Sequence, residues 1–262
     1  MNMAEVNGVK LHYRIDGPDD GAPLVFANSL GTDMRLWDPI LPLLQDGLRV
    51  LRFDKRGHGL SECPKSPFTM GQLVSDAEGL MDQFGFQDAL FVGLSIGGLI
   101  AQGLAAKRHD LIRAMVLSNT GAKIGTREIW DARIKGVENG GIESLADAVM
   151  ERWFSKAFLT TTNLTLWRNM LVQQTDKGYA GCSAAISGTD FYSSTSALRL
   201  PTLGIAGAED GATPPDLVRE TANLIPGSKF ELIRKAGHLP CVEQPAEYAE
   251  ILNTFITEVG HV

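Results

Sequence analysis

The chain has 262 residues, of which 44% are hydrophobic and 21% are charged. These fractions exclude a disordered or fibrous chain, and the length suits a single α/β domain that carries an insertion. The formal net charge of -7, without a run of Lys and Arg, argues against a nucleic-acid partner, because such proteins concentrate basic side chains to displace counterions. Acidity of this kind is typical of a protein that stays soluble in the cell.

The cysteines and the N-terminal stretch indicate a reducing compartment. Cys63, Cys182 and Cys241 lie far apart without CxxC spacing, which predicts neither a disulfide framework nor a zinc site. The stretch MNMAEVNGVK has no basic region followed by an apolar one, so no signal peptide is predicted and a cytoplasmic location is expected. Ala89 to Ala106 is uncharged, but its several glycines favour a strand and a helix over a membrane span.

In chain order, the first predicted elements belong to a sheet. Val9–Asp16, followed by Gly17-Pro18, is expected to lie in an antiparallel hairpin that caps the edge of the sheet. Helical patterns at Thr69–Phe84 and Ile96–Lys107 alternate with apolar runs and indicate βαβ units with helices on both faces. The apolar runs are nearly continuous rather than alternating, which predicts parallel strands buried on both faces. They are Pro23–Ala27, Val50–Asp54, Ala89–Gly93, Ala114–Ser118, Thr202–Ala206 and Lys229–Ile233.

Between the predicted strands Ala114–Ser118 and Thr202–Ala206 the pattern changes to one helix after another. The stretches REIWDARIKGVENGG, GIESLADAVMERWFSKAF and TLWRNMLVQQT all carry apolar residues at the helical period. Residues 125–195 are therefore expected to form a helical lid, or cap, on a core made of residues 1–124 and 196–262. The predicted fold class is α/β, with a mostly parallel sheet, helices on both faces and this helical insertion.

A serine stands in a motif between a predicted strand and a predicted helix. Gly93-Leu94-Ser95-Ile96-Gly97 is a G-x-S-x-G pattern, in which small residues let neighbouring backbone come close while the hydroxyl projects above the sheet. The helix N-terminus also favours developing negative charge. Ser95 is therefore the candidate nucleophile; the alternative is a glycine-rich turn with an incidental serine. The phosphate-binding patterns G-x-G-x-x-G and G-K-[ST] are absent here.

Candidate partners for this serine follow the last two predicted strands. A serine hydroxyl needs a base to take its proton, and the base needs a third group to orient it. Asp210 in AGAEDGATPP and His238 in KAGHLPCVEQP give the chain order Ser, Asp, His. Glu209 is the competitor of Asp210, which could also be an ordinary turn residue.

His58 competes with His238 as the base. It lies in FDKRGHGLSE, ahead of the serine, so His58 and Arg56 are instead expected to hold that loop by hydrogen bonds. Histidines with metal-ligand spacing to a carboxylate are absent from the sequence, and metal catalysis is not predicted.

Several motifs together resemble the α/β-hydrolase fold family over essentially the whole chain. They are the G-x-S-x-G around Ser95, D-x-R-G-H-G-x-S at Asp54–Ser61, G-x-x-D-x-x-x-P at Gly207–Pro214 and A-G-H-x-P at Ala236–Pro240. Within that family, the stretches NSLGTDMRLWDP, GLSIGG, ERWFSKAF and GYAGCSAAIS are similar to those of 3-oxoadipate enol-lactonases, bacterial hydrolases of the β-ketoadipate route for aromatic breakdown.

This resemblance implies a small-molecule substrate, a five-membered enol lactone with a carboxylate side chain. Ser95 would attack the lactone carbonyl, His238 would accept the proton, and Asp210 would fix the imidazole tautomer. The backbone N–H groups of Leu30 and Ile96 would form the oxyanion hole. Neither a cofactor nor a metal is implied.

The loop that carries Leu30 follows the predicted strand Pro23–Ala27 and begins with two polar residues. Asn28 and Ser29 are expected to hold this turn by local hydrogen bonds, and Ser29 is not expected to be a second nucleophile.

The lid is expected to bind the substrate carboxylate. Arg133, Arg152 and Arg168 are the candidates, because a guanidinium suits a planar carboxylate, and Trp130 and Trp153 would supply apolar walls. The resemblance favours Arg133 with Trp153; the alternative is that these arginines lie on solvated helix faces. Cys182 is expected to be a small core residue of the lid.

Other functions on the same fold stay open from the sequence. A general carboxylesterase, or a metal-free perhydrolase or haloperoxidase, would share Ser95, Asp210 and His238 and differ in the lid. A ligand-sensing receptor would keep the serine but use slow turnover for binding. The expected partner is a small lactone or ester, without nucleic acid or membrane, and no oligomeric state is indicated.

Overall fold

The computed structural model describes residues 2–262, whose strands form one sheet in the order β1-β2-β4-β3-β5-β6-β7-β8. The strands are β1 (Asn2–Val6), β2 (Val9–Asp16), β3 (Ala22–Ala27), β4 (Leu48–Phe53), β5 (Ala89–Leu94), β6 (Ile112–Ser118), β7 (Thr202–Gly207) and β8 (Lys229–Ile233). The β1–β2 hairpin is antiparallel and joins β4 antiparallel, and every other neighbouring pair is parallel.

Helices cover the sheet and fill the connections between its strands. They are α1 (Met70–Phe84), α2 (Ile96–Lys107), α3 (Arg127–Gly140), α4 (Ala146–Trp153), α5 (Leu164–Val172), α6 (Asp176–Ser187), α7 (Tyr192–Ser196), α8 (Pro215–Asn223), α9 (Pro240–Glu243) and α10 (Pro245–Glu258). Four 3-10 turns occupy Met34–Trp37, Leu41–Leu43, Ile142–Leu145 and Phe158–Thr160. Across residues 2–262, none of the helices combines the length and the apolar character that crossing a membrane requires.

The predicted fold class is confirmed, and one detail of the prediction is wrong. The edge hairpin is present, and the six apolar runs correspond to β3–β8. Not all of these strands are buried on both faces, however. β8 lies at the edge of the sheet, where Lys229, Glu231 and Leu232 are exposed.

The topology places the loops that carry the candidate site residues at one end of the sheet. The carboxyl ends of parallel strands meet at the same edge, so the loops after β3, β5, β7 and β8 lie near one another. Helices α3–α7 fall between β6 and β7, which are neighbours in the sheet, so this helical segment leaves and rejoins the sheet beside the same loops. The division into a core and a lid stays a prediction.

Candidate active site

Ser95 lies in the turn between β5 and α2 with a backbone conformation that few non-glycine residues adopt. Its φ is 59° and its ψ is -117°. The flanking glycines are needed for close backbone contacts: a Cβ on Gly93 would lie 2.2 Å from the carbonyl oxygen of Gly97, and one on Gly97 would lie 2.1 Å from that of Ala27. The motif is therefore a tight elbow that holds Ser95 at the N-terminus of α2.

Asp210 and His238 form a buried, hydrogen-bonded pair. Nδ1 of His238 lies 2.9 Å from Oδ2 of Asp210, which also accepts hydrogen bonds from Asn119 Nδ2 and Thr213 Oγ1. Burial alone would raise the pKa of Asp210, but the charge of His238 and these hydrogen bonds outweigh it and lower that pKa. When the imidazole is neutral, an ionised carboxylate at this position favours the tautomer whose proton is on Nδ1. Nε2 is then left as the acceptor.

Glu209, the competitor of Asp210, faces elsewhere: its Oε2 accepts a hydrogen bond from the backbone of Lys156 at 3.2 Å. The structure thus brings Asp210, and not Glu209, to the histidine.

The free nitrogen of the histidine has an unexpected neighbour. Nε2 of His238 lies 3.4 Å from Oγ of Ser29, and both side chains are buried. Within residues 2–262, Ser95 is not among the hydrogen-bond partners of His238, although Ser29, Ser95 and His238 line one cavity. Nucleophile-to-base contacts are commonly long in a site without substrate. No sequence pattern indicated a chemical role for Ser29.

The expected role of the polar turn after β3 is right for Asn28 and wrong for the Ser29 side chain. The Asn28 amide donates to the carbonyl of Thr32 at 3.5 Å and accepts from the Trp37 indole at 3.2 Å. Ser29 holds the turn through its carbonyl, which accepts from Thr32, while its hydroxyl points to His238. The N–H groups of Leu30 and Ile96 have no acceptor among residues 2–262 and are free to donate.

Two buried residues, Lys55 and His58, hold the turn after β3 from the protein interior. Nζ of Lys55 donates to the carbonyls of Ser29 and Thr32 at 2.6 and 3.1 Å, and burial lowers the pKa of Lys55 to about 8. Nε2 of His58 accepts the N–H of Gly31 at 3.0 Å. Burial and the nearby Lys55 charge keep the pKa of His58 well below its usual value, so this ring is neutral.

His58 was expected to hold its own loop. It contacts the carbonyl of Arg56 at 3.4 Å, but its second nitrogen holds the turn after β3 instead. Arg56 pairs with the buried Asp76 of α1 at 2.5 Å.

The end of α4 is tied by its backbone to both loops of the Asp210–His238 pair. The carbonyl of Trp153 accepts the N–H of His238 at 2.7 Å, and that of Arg152 accepts the N–H of Gly211 at 3.1 Å. Glu243 adds a second connection, because its carboxylate accepts from Gly237 N at 2.6 Å and from Ser155 N at 3.0 Å. These contacts were not predicted, because backbone contacts between distant segments leave no pattern in a single sequence.

A cavity of about 150 Å³ lies in front of Ser95. Its remaining walls come largely from the helical segment: Ile124, Gly125, Ile129, Trp130, Arg133, Arg152, Trp153 and Tyr179. The predicted residues Arg133, Trp130 and Trp153 therefore share one cavity with the predicted nucleophile and base.

Two of the three candidate arginines face this cavity without a carboxylate partner among residues 2–262. Arg133 donates to the Tyr179 hydroxyl at 3.3 Å and lies over the Trp130 ring at 5.2 Å. Burial and then the charge of Arg133 lower the pKa of Arg152, while the charge of Asp210, which makes no ion pair with Arg152, acts in the opposite direction. Arg168, in contrast, pairs with Glu143 and Asp147 on the surface. This agrees with the alternative expectation of an arginine on a solvated helix face.

Other candidate chemistry finds little support. Cys182 is fully buried, and burial raises the pKa of its thiol to about 12, so it is a core residue and not a reactive thiolate. In the part of the chain that the structure describes, His, Cys, Asp and Glu side chains do not come together in a group of three or more that could hold a metal ion.

Comparison with known proteins places these features in a family. The family model described as "alpha/beta hydrolase fold" matches residues 22–245. The chain is 33% identical to 3-oxoadipate enol-lactonase 2 of Acinetobacter baylyi over 92% of this chain and 90% of that protein.

Two solved structures extend this comparison. An enol-lactonase from Burkholderia xenovorans LB400 superposes with a TM-score of 0.94 and 38% identity, over 98% of this chain and 100% of that one. A thermophilic esterase from Thermogutta terrifontis superposes with a TM-score of 0.93 and 25% identity, over the full length of both chains. Motifs, sheet order and these matches agree, and the chain belongs to the α/β-hydrolase fold family.

Proposed function

We propose that the protein is a serine hydrolase that opens a carboxylate-bearing enol lactone, 3-oxoadipate enol-lactone, to 3-oxoadipate through an acyl-enzyme. The observation that carries this proposal is the pair of cations, Arg133 and Arg152, without carboxylate partners in the cavity that holds Ser95. Two partly buried guanidiniums repel each other, and a carboxylate between them relieves that repulsion with bidentate hydrogen bonds. Relatives named as enol-lactonases support the same substrate.

The chemistry begins at Ser95. Its Oγ attacks the lactone carbonyl while Nε2 of His238 takes the hydroxyl proton, and Asp210 stabilises the resulting imidazolium. The free N–H groups of Leu30 and Ile96 donate to the oxyanion, and each such donor lowers the barrier by about 2.7 to 4 kcal/mol. The ring C–O bond then breaks, the ring oxygen takes the proton from Nε2, and the enol becomes the ketone.

The acyl-enzyme is released by the same residues. His238 removes a proton from water, whose oxygen attacks the ester carbon on Ser95 Oγ, and the proton then returns to the serine as the second carboxylate forms. The helical segment, residues 125–195 as predicted, acts as a lid that supplies Arg133, Arg152, Trp130 and Trp153. The hydrophobic rings keep bulk water from the two arginines, which strengthens their attraction for the substrate carboxylate.

Removing one cation tests the proposal. Arg133→Gln and Arg152→Gln are each expected to raise KM for the enol lactone about tenfold or more and to change kcat/KM for the neutral 4-nitrophenyl acetate less than about threefold. Arg168→Gln is the matched control, since Arg168 pairs with surface carboxylates outside the cavity. Equal effects on both substrates would remove the carboxylate-binding role.

The wild-type protein separates this function from the general esterase. A carboxylesterase or perhydrolase needs no anion site, so its kcat/KM on the lactone would be close to that on short neutral esters. A ratio of about 100 or more in favour of the lactone is expected here, because two charged hydrogen bonds distinguish the substrates.

A further inference from the structure

The hydroxyl of Ser29 is buried beside the proposed base and has no structural task of its own. It lies 3.4 Å from Nε2 of His238, and within residues 2–262 this is its one hydrogen-bond contact. The turn is held instead by the Ser29 carbonyl, which accepts from Lys55 Nζ at 2.6 Å and from Thr32 Oγ1 at 2.9 Å. The hydroxyl is therefore available for chemistry.

The direction of this hydrogen bond depends on the protonation state of the histidine. In the neutral tautomer that donates its Nδ1 proton to Asp210, Nε2 carries a lone pair and accepts a hydrogen bond from the Ser29 hydroxyl. Once Nε2 has taken the proton of Ser95, it can no longer accept. The Ser29 hydroxyl is then free to donate elsewhere, at the stage of the reaction when the leaving oxygen begins to take up charge.

We propose that Ser29 is a further catalytic residue, whose hydroxyl donates a hydrogen bond to the leaving oxygen beside the proton on His238 Nε2. Two donors that lie 3.4 Å apart can both reach one oxygen at an ordinary hydrogen-bond distance of about 2.8 Å. As the C–O bond breaks, its electron pair goes to the leaving oxygen, which takes the Nε2 proton. Ser29 keeps its own proton throughout, and His238 returns to the neutral state.

This role predicts a dependence on the leaving group. A donor to the leaving oxygen matters most when that oxygen is strongly basic, as in an enol or an alkyl alcohol, and least when it is a stable anion such as 4-nitrophenolate. A third donor to the carbonyl oxyanion would instead act on every ester of the same acid alike. The proposal rests on the serine-hydrolase chemistry proposed above, but not on the carboxylate of the substrate.

The test is kcat/KM of the wild type and Ser29→Ala for acetate esters of 4-nitrophenol, phenol and trifluoroethanol, together with the enol lactone. Ser29→Ala is expected to lose less than about twofold on the nitrophenyl ester and tenfold or more on the trifluoroethyl ester and the lactone. Ser29→Cys, with a weaker donor, should fall between, and circular dichroism reports whether each variant is folded.

Thr32→Val is the matched control. Thr32 Oγ1 donates to the Ser29 carbonyl at 2.9 Å and makes no hydrogen bond to His238, so this variant loosens the same turn but keeps the Ser29 hydroxyl, and its loss should be the same for every ester. A loss in Ser29→Ala that does not vary with the leaving group, or no loss at all, overturns the proposal for Ser29. A wild type without preference for the lactone, but with the expected ester series in Ser29→Ala, overturns only the proposed substrate.

Discussion

Two serines share a cavity with one histidine, and we propose that Ser95 is the nucleophile. Ser95 stands in a strained elbow with its oxygen beside the free N–H groups of a helix start, whereas Ser29 lies on the turn after β3. Ser95→Ala is expected to lower kcat/KM for 4-nitrophenyl acetate by about 10⁴-fold or more, as loss of a nucleophile does. Ser29→Ala, on this ester, retains most activity. The opposite pattern would make Ser29 the nucleophile.

Residues whose role follows from local backbone were predictable from the sequence. The elbow glycines around Ser95 identify a strand-to-helix turn. Gly93 is required by a contact within the motif, with the carbonyl of Gly97, whereas Gly97 is required by the carbonyl of Ala27 on the neighbouring strand β3. Ser29 offered no such signal. Its hydroxyl is directed at a histidine 209 positions away, and only the folded sheet brings the two together.

The partners of the three lid arginines could not be predicted from the sequence either. A helical period places Arg133, Arg152 and Arg168 on helices, but the period does not say which of them has a carboxylate partner. Arg168 has two, and the other two have none among residues 2–262. That difference, which carries the proposed function, is a property of tertiary packing alone.

At the scale of elements, the end of α4 joins the loops that hold Asp210 and His238. A Cβ on Gly237 would lie 2.4 Å from the carbonyl oxygen of Trp153, the acceptor of His238 N–H. Gly237→Ala must displace α4 or the His238 loop. We expect it to lower kcat/KM tenfold or more and the free energy of unfolding by about 1 to 3 kcal/mol, as overpacking does.

Gly71→Ala in α1 is the control for this substitution. Its Cβ would have open space, with its nearest neighbour 3.9 Å away, so we expect unchanged activity and a gain of about 0.5 to 1 kcal/mol from helix propensity. Urea unfolding and kcat/KM of both variants measure the effect. An active, fully stable Gly237→Ala would show that the α4 contact does not position the base.

Strands were predicted well where both of their faces are buried, and less well at the edge of the sheet. β5 is buried along its whole length, and its apolar run identified it. β8 has three apolar residues of five, against five of six in β5, and it lies at the edge of the sheet with Lys229 and Glu231 exposed. The alternation of these two charged residues with apolar ones is a local sign of a half-exposed strand. Its place in the sheet order, in contrast, is a long-range property that its own residues do not record.

For the molecule as a whole, the sheet places a buried amine beneath the turn after β3. Lys55 follows β4, the neighbour of β3 in the sheet, so its amine reaches the carbonyls of Ser29 and Thr32 in that turn. The turn that presents Leu30 is thereby fixed from the interior. Burying this ammonium carries a free-energy cost, which ought to be visible in the stability of the entire fold.

The pH dependence of the free energy of unfolding measures the cost of burying Lys55. Burial lowers the pKa of Lys55 from 10.5 to about 8, so between these pH values the unfolded chain holds a proton that the folded chain has released. Unfolding then takes up a proton, and the contribution of Lys55 to the free energy of unfolding rises with pH, by up to about 3 kcal/mol at 1.36 kcal/mol per unit. Below pH 8 both states are protonated and the contribution is constant.

Lys55→Met removes this titration and leaves the other groups in place. The free energy of unfolding of the wild type minus that of the variant, from urea titrations at several pH values, should therefore be flat below pH 8 and increase up to pH 10.5. Taking the difference cancels the tyrosines and the cysteines remote from Lys55. The Cys182 thiol, whose pKa burial raises more than the Lys55 charge lowers it, titrates only at about 12 in the folded protein, above this range. A difference that stays constant or falls with pH would show that the buried amine is already as well stabilised as in water, and that its hydrogen bonds to the turn offset the whole cost of burial.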